Sequence, residues 1–198
     1  MEDLKKIADS LMEKEGRVKG EAMKADLEYI RLREGEKGVE MIEKKLEELG
    51  YSFRENLIEP LSWYKEGQSV LLVLLTKELF NWNEEDVFEM GKYAAKGSLL
   101  FKILVKYFSS PEKIVKEAPK YWTKYFDFGA LKVEEFNKEE NFLKLKVEGY
   151  HFHPIMCNYL SGVFQALFSL CIKSKEVRVE EEKCTFSGDE VHQFKLSW

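Results

Sequence analysis

Along the first two-thirds of the chain, apolar residues recur every three or four positions, the spacing of one face of a helix. Leu4, Ile7 and Leu11 predict an amphipathic helix over residues 2–15, interrupted by Gly16 and Gly20. Met23, Leu27 and Ile30 share a face of a second helix, Glu21 to Arg33. After a break at Gly35 and Gly38, a third runs from Val39 to Leu49, with Met41, Ile42, Leu46 and Leu49 apolar and Gly50 as its C-cap. Residues 51–60 read as extended or looped. Ser69 to Phe80 is apolar nearly all round, which predicts a buried helix. Asn83 followed by three acidic residues is a helix start that satisfies both capping and the helix dipole. That helix is predicted to reach about Tyr107, kinked at Gly97. Ser110 and Pro111 open another, whose apolar face carries Ile114, Val115, Ala118, Tyr121, Trp122 and Tyr125.

The period then shortens to two. Leu131 and Val133, then Leu143, Leu145 and Val147, alternate with Lys and Glu on either side of residues 137–141, a hairpin with one buried face. A nearly all-apolar helix from Pro154 to about Ile172 follows, then a second hairpin. The expected fold class is therefore α+β: N-terminal helices packed on a small antiparallel sheet of about four strands, with the C-terminal order β-β-α-β-β. With 198 residues and neither repeat nor low-complexity linker, the chain is expected to be a single domain, 1–198. Residues 1–18 would form an amphipathic helix that packs on this domain or lies at its periphery.

The polar or small residues of the 154–172 helix, Asn158, Ser161, Gly162, Gln165 and Ser169, fall on one narrow stripe. Such a stripe lies close against another backbone or faces a cavity. Gly162 costs about 1 kcal/mol relative to Ala in mid-helix and needs one of those two reasons. In the final hairpin, a three-residue loop at 187–189 would pair Phe186 with Glu190 and set Cys184 opposite His192. Their Cβ atoms would then be about 5 Å apart. Cys and His are two of the four ligands zinc prefers, and His151, His153 and Cys157 are the nearest further candidates. His192 shares its face with Phe194, Leu196 and Trp198, so it reads equally as a core residue. A Cys184–His192 nucleophilic pair would lack a third orienting group. Neither a Gly-x-Ser-x-Gly elbow nor a glycine loop following a strand is present.

Composition narrows the classes further. A net charge of −5 argues against non-specific nucleic-acid binding. The start of the chain lacks an apolar signal core, and the longest apolar run, Val70 to Leu75, is far too short for a membrane span. Three cysteines in a lysine-rich chain point to reduced thiols in a cytoplasm. Arg occurs only at 17, 31, 33, 54 and 178, and a bias to Lys and Glu is one found in heat-adapted proteins.

The C-terminal stretch resembles the 4-vinyl-reductase, or hydrocarbon-binding, domain. Members end in an apolar helix with a mid-helix glycine, here Gly162, then a strand leading into Cys-x-x-x-Gly-Asp-x-x-Cys-x-Phe, matched by Cys184, Gly188, Asp189, His192 and Phe194. His192 stands where the family has its second Cys. The wider superfamily includes the heme nitric-oxide/oxygen-binding domains and the trafficking subunits of the TRAPP complex. The resemblance implies a buried pocket for a hydrophobic ligand: a porphyrin such as heme, an acyl chain or a small aromatic. The heme sensors carry their axial His on the helix corresponding to Ala118–Tyr125, where this chain has none. Their Tyr-x-Ser-x-Arg clamp would fall near Tyr150–His153, without its Ser or Arg.

Three functions stand at this point. The first is a non-catalytic sensor or carrier whose pocket lies between the 69–80 and 154–172 helices, with Trp122 and Tyr125 as aromatic walls and Asn158, Ser161, Gly162 and Gln165 on the polar stripe. The second is a dimeric scaffold with a filled core. The third is a metal-binding protein, using zinc with Cys184, His192, His151 and His153.

Overall fold

The structure, a computed structural model, describes residues 2–51, 54–97, 110–169, 172 and 176–198. The predicted continuation of the fourth helix over 98–107 lies outside these residues, as does the end of the last helix at 170–171. Helix α1, Glu2–Glu13, buries Ala8 and Leu11 against helix α3, Glu66–Phe80. Its C-terminal end is tied down by Lys14, whose Nζ donates to the His151 and Phe152 carbonyls.

Helix α2, Gly20–Glu48, joins the two predicted helices across a kink at Gly35, whose φ of 74° is left-handed and whose ψ of −176° is extended. An L side chain rarely adopts that backbone, which is why the break falls on a glycine. Helix α3 begins three residues earlier than its apolar run, and Val70–Leu75 are buried on every side. At the start of helix α4, Glu84–Gly97, Asn83 and Asp86 cap reciprocally: Asn83 Oδ1 accepts from the Asp86 N–H, and Asp86 Oδ2 accepts from the Asn83 N–H. Helix α5, Pro111–Tyr125, has Pro in its first turn and a second, Pro119, inside it.

The described residues form two antiparallel sheets. A two-stranded ribbon pairs β1, Arg17–Lys19, with β2, Trp63–Lys65. The sequence pattern gave no strand at either place, because three residues are too few to display an alternation. The four-stranded sheet has the order β3-β4-β6-β5, from β3 (Ala130–Asn137), β4 (Phe142–Glu148), β5 (Arg178–Lys183) and β6 (His192–Ser197). Helix α6, Ile155–Ser169, connects β4 to β5. The inner face of the sheet buries Leu143, Leu145, Val147, Phe194 and Leu196, with Leu145 opposite Phe194 and Val147 opposite His192. No helix among the described residues is long and apolar enough to cross a membrane.

The polar stripe of α6 meets a backbone. A Cβ on Gly162 would lie on the Phe88 carbonyl of α4, and one on Gly91 of α4 would lie on the Tyr159 carbonyl of α6. The two helices thus cross in backbone contact, with a glycine from each at the crossing.

Candidate functional site

Two features stand out: an apolar cavity and a cluster of metal-ligand side chains, both built on α6. The cavity has a volume of about 150 Å³. Its walls come from Ala22 of α2, Ala94 and Ala95 of α4, Ala118, Tyr121, Trp122 and Tyr125 of α5, Leu131, Leu145 and Leu196 of the sheet, and Tyr159, Leu160, Val163, Phe164, Leu167 and Phe168 on or after the second turn of α6. Small alanines on three helices leave the space, and aromatic rings on α5 and α6 border it. The polar ends of those rings are engaged elsewhere. Trp122 Nε1–H donates to Phe128 O at 2.9 Å, Tyr125 OH to Glu21 Oε2 at 3.0 Å, and Tyr159 OH to Asp26 Oδ1 at 2.8 Å.

Of the residues expected to touch ligand, Trp122 and Tyr125 line the cavity; the four of the α6 stripe do not. Gly162 packs on α4, Ser161 Oγ donates to the Cys157 carbonyl one turn back, and Gln165 Nε2 donates to Val177 O. Asn158, half-buried, is also absent from the lining. The other half of the expected pocket is corrected too. Helix α3 supplies no wall, because its side chains fill the core on all sides; α2, α4, α5 and the sheet take its place.

At the N-terminal end of α6, the ligand atoms of Cys157, Glu181, Cys184 and His192 lie within 4.8 Å of one another. Cys157 Sγ is 3.6 Å from Cys184 Sγ and 3.8 Å from His192 Nδ1. Bonds of about 2.3 Å to sulfur and about 2.05 Å to nitrogen, at tetrahedral angles, require about 3.8 Å and about 3.5 Å for the same pairs. Cys184 and His192 are brought together as the hairpin register implies, but by a longer connection than a three-residue loop. Residues Thr185–Ser187 form a 3-10 turn, and Gly188 takes a φ of 102°. The Cys184 carbonyl accepts from the Ser187 and Asp189 N–H groups, and Asp189 Oδ2 accepts from the Cys184 N–H.

His151 and His153, expected among the ligands, lie outside this cluster. His151 is exposed, and His153 Nδ1 accepts from the Ile155 N–H at the start of α6. Cys157 and Glu181 occupy the remaining positions.

The imidazole hydrogen bonds are compatible with a cation here. His192 Nε2 is 2.9 Å from both the Tyr150 carbonyl, which can only accept, and the Thr185 hydroxyl, which can donate or accept. Nδ1 faces Glu181 Oε1 at 2.8 Å and the Cys157 thiol at 3.8 Å. With an Nε2 proton donated to the Tyr150 carbonyl, Nδ1 is the nitrogen left to hold a metal ion. The carbonyl fixing the tautomer is the outer-shell arrangement that metal-bound histidines commonly have. Burial and the nearby Glu181 push the Cys157 thiol well above its ordinary pKa, which makes it a poor free nucleophile. A bound cation would reverse that effect.

No family model matches the sequence, and no curated protein matches it. Solved structures do match. An H-NOX protein from S. oneidensis in the Fe(II)NO ligation state is 12% identical, with a TM-score of 0.67 over 90% of this chain and 98% of that one. Unliganded Fe(II) H-NOX from K. algicida is 14% identical, with a TM-score of 0.62 over 90% and 95%. A structure described as modulating heme redox potential through protein-induced porphyrin distortion is 13% identical, with a TM-score of 0.61 over 91% and 99%. The chain therefore has the H-NOX fold.

Heme does not fit the described residues around the cavity. Among the described residues, the cavity lining contains no His, Cys, Met, Lys or Arg, so these residues offer neither a nitrogen or sulfur axial ligand nor a cation for the propionates. The three histidines of the chain are at 151, 153 and 192, and none lines the cavity. The phenols of Tyr125 and Tyr159 are already bonded to carboxyl groups.

Proposed function

We propose that the chain is a non-catalytic sensor or carrier that holds a small, uncharged hydrophobic molecule in the α2–α4–α5–α6 cavity. The observation that carries this reading is the cavity itself: about 150 Å³, walled by apolar atoms, with its polar ring substituents turned to other partners. Dry apolar cavities of this size in other proteins take up benzene. The absence of any cation among the described lining residues disfavours an acyl chain with its carboxylate and favours a neutral one-ring aromatic or a hydrocarbon of similar bulk. The resemblance of the segment from Gly162 to Phe194 to the 4-vinyl-reductase domain supports the same reading.

Thermal unfolding in the presence of toluene, octanoate and hemin tests it. Toluene at a hundred times its Kd should stabilise by about 2.7 kcal/mol, which raises Tm by about 5–10 °C in a chain of this size, while the other two leave Tm unchanged. If no neutral aromatic raises Tm, the ligand reading falls.

The second feature reads as a structural metal site. Cys157, Glu181, Cys184 and His192 supply a mixed sulfur, nitrogen and oxygen set that suits zinc. With all four positions provided by the chain, no open position remains for substrate, which favours a staple over a catalytic centre. The staple would join the first turn of α6 to the β5–β6 hairpin. Its free thiols, Cys157 and Cys184, suit a reducing compartment such as the cytoplasm. Elemental analysis of protein purified without chelator should give about one zinc per chain, and a Cys184→Ser variant should lose it; metal-free wild-type protein of full stability would refute the assignment.

A further inference from the structure

Behind the Tyr159 wall of the cavity lies a group of buried acids with no counterion among the described residues. Tyr159 OH donates to Asp26 Oδ1 at 2.8 Å, and Tyr150 OH donates to Glu66 Oε1 at 2.5 Å. Asp26 and Glu66 are 0% and 1% exposed, and the second oxygen of each, Asp26 Oδ2 and Glu66 Oε2, has no partner. The four side chains come from α2, α3, the turn after β4, and α6. The titratable groups acting on them are one another, together with Tyr125 on Tyr159 and Cys157 on Tyr150. No Lys or Arg among the described residues contributes. Burial pushes Asp26 up to about 8; burial, with the neighbouring Asp26, pushes Glu66 up to about 8.

A buried carboxylate without a cation must be hydrated or neutral. In the packed structure Asp26 and Glu66 are enclosed, so they are stable only as neutral acids. Once ionised they can be satisfied only by water. Asp26 of α2 is bonded by Tyr159 of α6, which is also a wall of the cavity, so hydrating Asp26 at that bond would disturb the wall. We propose that Asp26 and Glu66 form a protonation latch that keeps the α2–α6 wall of the cavity closed while both are neutral and releases it when they ionise. The latch rests on the reading of the cavity as a ligand site for its consequence, though not for its mechanism.

Two measurements over pH 6–10 separate these. Binding of fluorobenzene, uncharged throughout, is followed by 19F NMR. Hydrogen exchange of the α6 amides from Leu160 to Leu167, corrected for intrinsic base catalysis, follows the wall itself. In wild-type protein the affinity should fall at least about tenfold between pH 7 and 9.5, with α6 protection falling in the same range. In Asp26→Asn/Glu66→Gln both should be flat. Should the double variant not fold, either single variant is expected to reduce the pH-dependent loss. Flat wild-type protection, or a loss undiminished in these variants, overturns the latch. If fluorobenzene binds at no pH, the ligand reading fails and the exchange profiles alone decide the latch.

Discussion

Replacing Gly162 with Ala tests the close crossing of α4 and α6. The new methyl carbon would lie on the Phe88 carbonyl, 2.9 Å from its carbon and 3.0 Å from Lys92 N. Carbon atoms in contact prefer about 3.5–4.0 Å, so the helices must separate by about 1 Å. Both obstacles are backbone atoms inside helices, so no side chain can swing aside to relieve the overlap. Two effects of opposite sign compete. Ala favours a helix interior by about 1 kcal/mol over Gly, while overpacking a core costs about 1–3 kcal/mol and more where the backbone must shift. With the clash at the upper end of that range, the variant should lose about 2 kcal/mol, lowering Tm by about 4–8 °C. Because Tyr159, Leu160 and Val163 lie on the same stretch of α6, affinity for toluene should drop as well. Thermal and urea unfolding measure the first effect, and calorimetric titration the second. A Gly162→Ala protein as stable as wild type, or more stable, would show that helix propensity wins and that the backbones are not in contact.

Three further outcomes follow from the same geometry. Val163→Trp places an indole in the cavity, so the protein should stay folded and lose its Tm response to toluene; a retained response would locate the ligand elsewhere. Cys157→Ser removes a ligand from the α6 end of the metal cluster, and chelator should then destabilise wild type while leaving the variant unchanged in a melting experiment. The third concerns pH. Asp26 and Glu66 have folded-state values near 8, above the ordinary 3.8 and 4.5. The folded state therefore holds protons that the unfolded chain has released. Their contribution is fully present below about pH 4 and declines as pH rises through 8. Urea midpoints of wild type should fall between pH 5 and 8.5 more than those of Asp26→Asn/Glu66→Gln, and equal slopes would refute the assignment.

Much of the helical half was legible because its apolar spacing and its punctuation agree. Asn83 with its acidic first turn, Ser110 with Pro111, and the break at Gly35 all mark places where the chain does change direction. The ribbon of β1 and β2 was not legible, since strands of three residues carry no period. For the metal cluster, strand parity was enough to bring Cys184 opposite His192. Glu181 and Cys157 were harder to assign because they lie 11 and 35 positions before His192 on elements whose packing no local pattern fixes. A signal for Glu181 existed in principle, for it shares the parity of Val179 on β5. The cavity face of α6 was misjudged for a physical reason. A stripe of small residues suits a ligand and a neighbouring backbone equally well, and only the position of α4 decides between them. The wall side chains on α6, by contrast, are large and apolar and read as ordinary core.

The H-NOX fold at 12–14% identity shows how little of a site a fold transmits. What the shared architecture supplies here is a space between helices and sheet, and the side chains bordering that space decide what can enter. Tyr121, Trp122 and Tyr125 on α5 offer ring faces and no axial nitrogen. Ala22, Ala94, Ala95 and Ala118 set how much room is left. Tyr159 faces the cavity with its ring and Asp26 with its hydroxyl, so the same residue forms a wall and contacts a buried acid. One helix thus carries a thiol of the candidate metal cluster at Cys157, the Asp26 contact at Tyr159, the α4 crossing at Gly162 and the cavity wall beyond it. A displacement at any of these must be accommodated by the other three, because Gly91 and Gly162 leave no slack between α4 and α6.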